Sequence, residues 1–369
     1  MAKKRDYALT SGASTKRVEA PAVPYLPQDP RRYRPKIGLV GCGGITEYHL
    51  RAYKAAGYDV AALCDRTEAK ARGRQKEFYP AATIYTDYRD LLRRDDFEVV
   101  DIATHPEERV AVMRAAIAAG KHVLSQKPFV TDLNVGERLV ELAEKKGVKL
   151  AVNQNGRWAP HFSYLRNAIA RGVIGTPFAA HLAVHWDHNW VKGTPFEDVR
   201  HLVLYDFGVH WFDILGCFMG DKTATRVYAS NAVSPSQLAR PALLAQAMIE
   251  YDGAQASLIF DADVRSGRED RSYIAGTKGT LVSEGPSLTE QAVTIYTKRG
   301  VAKPKLTGSW FAEGFHGAMA ELLLAIEQKR EPSNSGRNNL SSLALCFAAC
   351  ASADTEKPVV PGTIRKLKS

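Results

Sequence analysis

No apolar run in this 369-residue chain reaches the roughly 20 residues that a bilayer-spanning helix needs, so a membrane-embedded function is not expected. No Cys-x-x-Cys pair occurs either. The five cysteines (Cys42, Cys64, Cys217, Cys346 and Cys350) are odd in number and lie mostly in apolar stretches. That pattern argues against a disulfide framework and fits reduced thiols in a cytoplasmic protein. Lys3, Lys4 and Arg5 are followed by no apolar core, which argues against a secretory signal. Internal repeats and low-complexity tracts are lacking as well. What remains is an ordinary soluble composition, long enough for two domains.

The net charge is +10, and the first 36 residues carry nine basic and three acidic side chains. More than half of the excess thus lies ahead of the first apolar run. A nucleic-acid partner would need interleaved aromatics or a DNA-binding motif, and neither follows. The basic stretch therefore reads as a solvated or partner-bound arm. Pro21, Pro24, Pro27, Pro30 and Pro35 keep residues 1–35 out of a helix. Tyr25, Leu26 and Tyr33 give this arm apolar handles, which suit packing on a neighbouring domain or subunit.

The chain is organised around Lys36–His49. Ile37–Val40 is one buried strand, Gly41-Cys42-Gly43-Gly44 a tight turn, and Ile45–Ala56 a helix. Strand, glycine turn and helix together form the context of dinucleotide binding. Gly41 permits the turn, Gly43 lets backbone approach a pyrophosphate, and Gly44 and Ile45 open a helix whose first amides face the anion. Thr46 replaces the usual third small residue. The next strand, Asp59–Cys64, ends in Asp65, 24 positions past Gly41. An acid there accepts the ribose hydroxyls and favours NAD. Arg66 follows it and leaves NADP open.

Strands and helices then alternate through residue 155: a helix over Thr67–Phe78, strands at Thr83–Tyr85, Val99–Ala103, His122–Ser125 and Leu150–Asn153, and helices over Pro106–Ala119 and Asp132–Lys146. This predicts a doubly wound parallel sheet. Its ligands bind beyond the strand carboxyl ends, where Thr104, His105, Gln126, Lys127 and Asn153 fall. From residue 156 the pattern becomes a helix (Pro160–Arg171) followed by seven strand-like runs between Phe178 and Thr297, joined in places by turns such as Asp252-Gly253. A helix over Tyr205–Phe218 interrupts them, and helices over Phe315–Lys329 and Asn338–Ala353 follow. The expectation is a large, mostly antiparallel open sheet in an α/β second domain. The domains are then an arm (1–35), a Rossmann domain (36–155) and a substrate-binding and oligomerisation domain (156–369).

Hydride transfer needs a proton acceptor, an orienting group and a cleft beside the nicotinamide. Lys127 follows a buried strand at the cofactor end of the sheet. Asp206, His210 and Asp213 are spaced four and three apart, which puts them on one helical face. Asn153, Asn155, Arg157 and Trp158 leave the last parallel strand and suit a polyhydroxylated ring. His185, Asp187 and His188 invite a metal reading, but their spacing matches no zinc pattern, and on a strand residues 185 and 188 face opposite sides. No metal is expected, and His185 is read as a sugar contact.

These residues carry a resemblance. Gly41-x-Gly43-Gly44-Ile45, Asp65, Val100-Asp101-Ile102-Ala103-Thr104, Ala119-Gly120-Lys121-His122-Val123, Lys127-Pro128 and Asp206-x-Gly208-x-His210 resemble the glucose–fructose oxidoreductase, inositol dehydrogenase and rhizopine-catabolism (Gfo/Idh/MocA) family. The resemblance covers about residues 36–350. It implies nicotinamide-dependent oxidation or reduction of sugars and cyclic polyols, an open sheet that forms the oligomer face of a homodimer or homotetramer, and a catalytic set of Lys127, Asp206 and His210. Two positions depart from it. Gln126 stands where the family usually has Glu, and Arg109 where it often has His. Losing the Glu charge is expected to make Lys127 release its proton more readily. Besides a freely exchanging dehydrogenase, two alternatives remain open: a redox-neutral enzyme with retained cofactor that epimerises or cleaves glycosides, and a non-catalytic dinucleotide-binding regulator.

Overall fold

The structure, a computed structural model, describes residues 15–367. The first half alternates β1 (Lys36–Val40), α1 (Thr46–Ala55), β2 (Asp59–Cys64), α2 (Glu68–Phe78), β3 (Thr83–Tyr85), α3 (Tyr88–Leu92), β4 (Val99–Ile102), α4 (Pro106–Ala118), β5 (His122–Gln126), α5 (Leu133–Lys146) and β6 (Leu150–Asn153). The six strands form one parallel sheet in the order β3-β2-β1-β4-β5-β6. This is the doubly wound order, with its switch point between β1 and β4. Every residue of β4 and β6 is buried, as expected for strands covered on both faces. Asp132 caps α5 by accepting from the amides of Asn134 and Val135, and Gly147 ends it at φ 69°.

After α6 (Pro160–Ala170) comes β7 (Pro177–His185). A π turn over Val203–Phe207 then leads into α7 (Val209–Met219). β8 (Ala224–Ala232), β9 (Leu244–Tyr251), β10 (Ala254–Asp261), β11 (Glu269–Gly276), β12 (Gly279–Gly285), β13 (Ala292–Thr297) and β14 (Gly300–Ala302) follow, then α8 (Trp310–Glu327) and α9 (Gly336–Thr355). The eight strands order as β14-β13-β12-β11-β7-β10-β9-β8. All neighbours are antiparallel except β7 and β10. β9 alternates buried and exposed positions along its length, which marks a sheet with one covered and one open face.

The C-terminal part does not stay with the second sheet. Met319, Leu322 and Leu323 of α8 share a core with Ile37 and Leu39 of β1 and Leu50 of α1, so α8 ties the two sheets together. Residues 15–35 of the arm pack on other elements of their own chain. The Val18 amide donates to the Val301 carbonyl at the β14 edge, and the Tyr164 hydroxyl donates to the Pro21 carbonyl. The Glu327 carboxylate at the end of α8 accepts the amides of Arg31, Arg32 and Tyr33. Residues 1–14, the rest of the predicted arm, lie outside the described residues.

Candidate active site

At the β1–β2 edge the glycine turn has the geometry its sequence implies. Gly41 has φ +96°, and a Cβ there would come within 2.8 Å of the Ala103 carbonyl carbon. Only glycine tolerates both conditions. A Cβ on Gly43 or Gly44 would meet nothing within 4 Å, so backbone is bare on the open side of the turn. Thr46 stands in for a third small residue because its hydroxyl donates back to the Gly43 carbonyl at 2.6 Å. Ile45 is the N-cap residue of α1. Asp65 accepts the Cys42 amide at 2.8 Å and the Thr67 amide at 2.9 Å, one on each carboxylate oxygen. Each oxygen keeps a free lone pair for a ribose hydroxyl. Arg66 is paired with Glu108 at 2.7 Å on the surface. A cavity of about 420 Å³ is lined by Gly41, Gly43, Asp65, Arg66, Thr104 and His105, among others. Beside it the Thr104 hydroxyl is buried without a partner. Bare turn backbone, a pre-set acid and an orphaned hydroxyl fit an adenine dinucleotide.

At the end of β5, Lys127 precedes Pro128 through a cis peptide bond. Its ammonium donates to the Asp206 carbonyl at 2.8 Å and lies 3.4 Å from the Asp206 carboxylate. Rossmann strand end and second domain thus meet at this pair. Asp206 sits in the π turn. Gly208 allows the change from π to α geometry, since a Cβ there would come within 2.7 Å of the Leu204 carbonyl oxygen. A π turn at a functional residue is a recurrent device. His210 is on the first turn of α7, its Nδ1 buried without a partner. Burial, and secondarily the Lys127 charge, push its pKa well below the usual imidazole value.

Other predicted site residues lie elsewhere. Asp213 does not join Asp206 and His210. It forms a buried, bidentate ion pair with Arg157 (Nε to Oδ2 2.5 Å, Nη2 to Oδ1 2.6 Å), so Arg157 cannot serve as the expected substrate contact. Trp158 is also turned away from its expected place. It is buried against Gly317 of α8, and Arg166 lies over its ring. Asn155 begins a 3-10 turn whose backbone packs on Gly314. Asn153 is fully buried, with its Nδ2 3.5 Å from His49 Nε2. His185 pairs with Asp261 at 2.9 Å, in the partly exposed register of β7. Gln126 was expected at the cofactor and as an influence on the Lys127 charge. Its side chain instead turns inward to His49, 3.2 Å away. The ammonium faces Asp206.

Two residues take roles that the sequence reading did not give them. Arg109, noticed only as a departure, is buried. It holds the carbonyls of Thr104, Gln126 and Pro128, fixing the loop that carries Lys127. Burial lowers its pKa to about 10, so it stays charged. His188 accepts the indole N–H groups of Trp186 (2.9 Å) and Trp190 (3.2 Å) on Nδ1. Its proton is thereby placed on Nε2. Burial pushes it down to about 4, with opposing influences from Asp206 and Lys127 beside it. The Trp-x-His-x-Trp spacing was the available signal for an imidazole held as a neutral donor.

A pre-shaped dinucleotide turn, a lysine at the end of β5, and a carboxylate and histidine from the second domain define a nicotinamide-dependent oxidoreductase. Residues 35–154 match the model of the oxidoreductase family with NAD-binding Rossmann fold, and residues 162–282 match the GFO/IDH/MocA C-terminal domain. The chain belongs to the Gfo/Idh/MocA family of NAD-binding oxidoreductases. It is 28% identical over 345 residues to D-apiose dehydrogenase of Paraburkholderia graminis, covering 86% of this chain and 87% of that one. The fold superposes with a TM-score of 0.80 (23% identity, 89% and 99% of the two chains) on an oxidoreductase from Agrobacterium radiobacter solved with NAD+, L-tartaric acid and magnesium. It superposes with a TM-score of 0.75 (20% identity, 89% and 99%) on scyllo-inositol dehydrogenase from Lactobacillus casei with bound NAD(H) and scyllo-inositol.

Proposed function

We propose that this protein moves a hydride between NAD and a secondary hydroxyl of a sugar, sugar derivative or cyclic polyol. The observation that carries this reading is the Lys127–Asp206 contact, which joins the strand ends of the cofactor sheet to the second domain. Bound NAD would supply the hydride acceptor, held by Gly41, Gly43, Gly44 and Asp65 near Thr104 and His105. The residues of the chain handle the proton and orient the substrate. His210, neutral because burial and Lys127 oppose its cation, takes the hydroxyl proton. Lys127 donates to the carbinol oxygen and stabilises charge developing there. Asp206 orients the lysine, and the Nε2–H of His188 donates to a neighbouring hydroxyl.

The assignment extends to organisation: a Rossmann unit over 36–155, a substrate unit over 156–369 from which α8 returns to the first, a cytoplasmic setting and a homo-oligomer. A panel of sugars, inositols and glycosides with NAD and with NADP, followed at the reduced-nicotinamide absorbance, tests the function. Turnover with NAD is expected. Arg66 is engaged by Glu108 and Asp65 opposes a 2′-phosphate, so NADP should bind more weakly. No turnover with any of them, and cofactor that stays with the protein through dialysis, would instead favour the redox-neutral alternative.

A further inference from the structure

Behind the Lys127 loop lies a buried chain of hydrogen bonds. His49 of α1 is fully buried. Its Nδ1 is 2.7 Å from Asp101 Oδ2, and the Tyr53 hydroxyl donates to the same oxygen at 2.7 Å. Its Nε2 is 3.2 Å from Gln126 Nε2 and 3.5 Å from Asn153 Nδ2. Gln126 Oε1 accepts the Lys127 backbone amide at 2.7 Å.

Donor and acceptor chemistry gives this chain one direction. The Lys127 amide can only donate, so the oxygen end of the Gln126 amide must face it. The nitrogen end can only donate, so His49 must offer a lone pair at Nε2. The imidazole proton then sits at Nδ1, toward Asp101. Each other element packed on His49 has a role. α1 contributes Tyr53, β4 Asp101 and β6 Asn153, while α8 contributes Phe315, whose ring lies 4.3 Å from the imidazole. Two cations lie along the chain: Arg109, which grips the Gln126 carbonyl and interacts with Asp101, and Lys127, whose ammonium turns away to Asp206.

We propose that Tyr53, Asp101, His49 and Gln126 form a positioning chain for Lys127, and that the amide at Gln126 frees this chain from any titrating proton. Arg109 fixes the loop by its carbonyls, and Gln126 fixes it by the Lys127 amide. A glutamate at 126 has only acceptors. It could keep both contacts, with the Asp101 carboxylate still bonded at Nδ1, only if His49 took up a second proton and bridged two carboxylates. That link would break as rising pH removed the proton. The glutamine makes both contacts at any pH in the working range.

The kinetic consequence rests on the reading of Lys127 as an active-site group, while the tautomer and the melting behaviour do not. The test compares the full chain with Gln126→Glu and Gln126→Leu. Nitrogen NMR of the histidines should show His49 of the unaltered protein with its proton on Nδ1 and a bare Nε2. In Gln126→Glu it should show an imidazolium that titrates. The melting temperature of Gln126→Glu should fall away from that of the unaltered protein as pH rises, and kcat should drop about tenfold over the same range, the worth of one charge-assisted hydrogen bond. Gln126→Leu should lose a similar factor at every pH. An imidazolium or an Nε2–H form of His49 in the unaltered protein would overturn the proposal. Parallel pH curves for the unaltered protein and Gln126→Glu would do the same. Failure of the proposed function would look different: no turnover in the unaltered protein, with tautomer and melting results intact.

Discussion

Lys127, Asp206 and His210 arrive from different elements, the end of β5, the π turn and α7. Lys127 lies against a carboxylate, while burial holds His210 neutral. Lys127→Ala and His210→Ala should each lower kcat by about a hundred- to ten-thousand-fold, the usual cost of removing a positioned acid or base, while the dissociation constant for NAD stays near its original value. Because the His210 pKa lies below the usual 6.5 or so, the acid limb of kcat/KM should fall below that pH. A limb at or above it would assign the base elsewhere. Arg157 makes the opposite case. Its guanidinium and the Asp213 carboxylate are buried as a pair, and truncating one partner strands the other charge. Arg157→Ala should cost about 3–5 kcal/mol of stability, read by denaturant unfolding. A folded variant of normal stability with a raised KM would restore Arg157 to the substrate pocket.

Elements carry charges whose effects depend on pH. Asp270, on the inner face of β11, is buried with both carboxylate oxygens unpartnered, and burial raises its pKa to about 8. The folded state therefore favours the protonated acid. Below the unfolded pKa of about 4 this residue exacts no penalty, and stability is lost as pH rises toward 8. Asp270→Asn should melt like the unaltered protein in acid and above it at alkaline pH. Equal melting at both would show that water or a partner solvates the carboxylate. The arm is a second element, gripped at residues 31–33 by one carboxylate. Three arm amides hold the Glu327 carboxyl below its ordinary range, so Glu327→Ala should speed hydrogen exchange at residues 31–33 and leave turnover unchanged. Slow exchange in the variant would mean that Tyr25 and Asp29 hold the arm without it. Elements with a strong local signal were legible in the sequence: the glycine turn, the Asp132 cap and Gly147 stop, and the alternating strand β9. The π turn was not, because Val203–Phe207 has helical spacing and the extra residue shows only in the Gly208 amide, which donates to the Val203 carbonyl five residues back. Arg157 and Gln126 were misread for another reason. A polar side chain at a strand end points to ligand or interior according to partners far away in sequence, here Asp213 and His49.

On the scale of the whole molecule, the second sheet leaves one face without a partner in the single chain. Its pairing register aligns Tyr228, Met248, Ser257, His181 and Tyr273 in one row across β8, β9, β10, β7 and β11. Met248 is 57% exposed, Tyr273 40% and Tyr228 37%, and Tyr296 and Phe178 are exposed as well. The alternate residues, such as Val227, Ile249 and Ile274, are buried in the core on the other side. Charge flanks the row, as in the Arg226–Glu250 pair, but the exposed aromatics and methionine within it are the kind of apolar patch that marks an interaction surface. A symmetric partner offering the same row would cover it, since a two-fold interface is self-complementary. Light scattering should therefore give a dimer or tetramer. Met248→Glu with Tyr273→Glu would set like charges against each other across the two-fold, and should shift the protein toward monomer without loss of NAD binding, because the Gly41 turn belongs to the other sheet. An assembly unchanged by both substitutions would place the contact on another surface, and a monomeric unaltered protein would leave this row without the role argued for it.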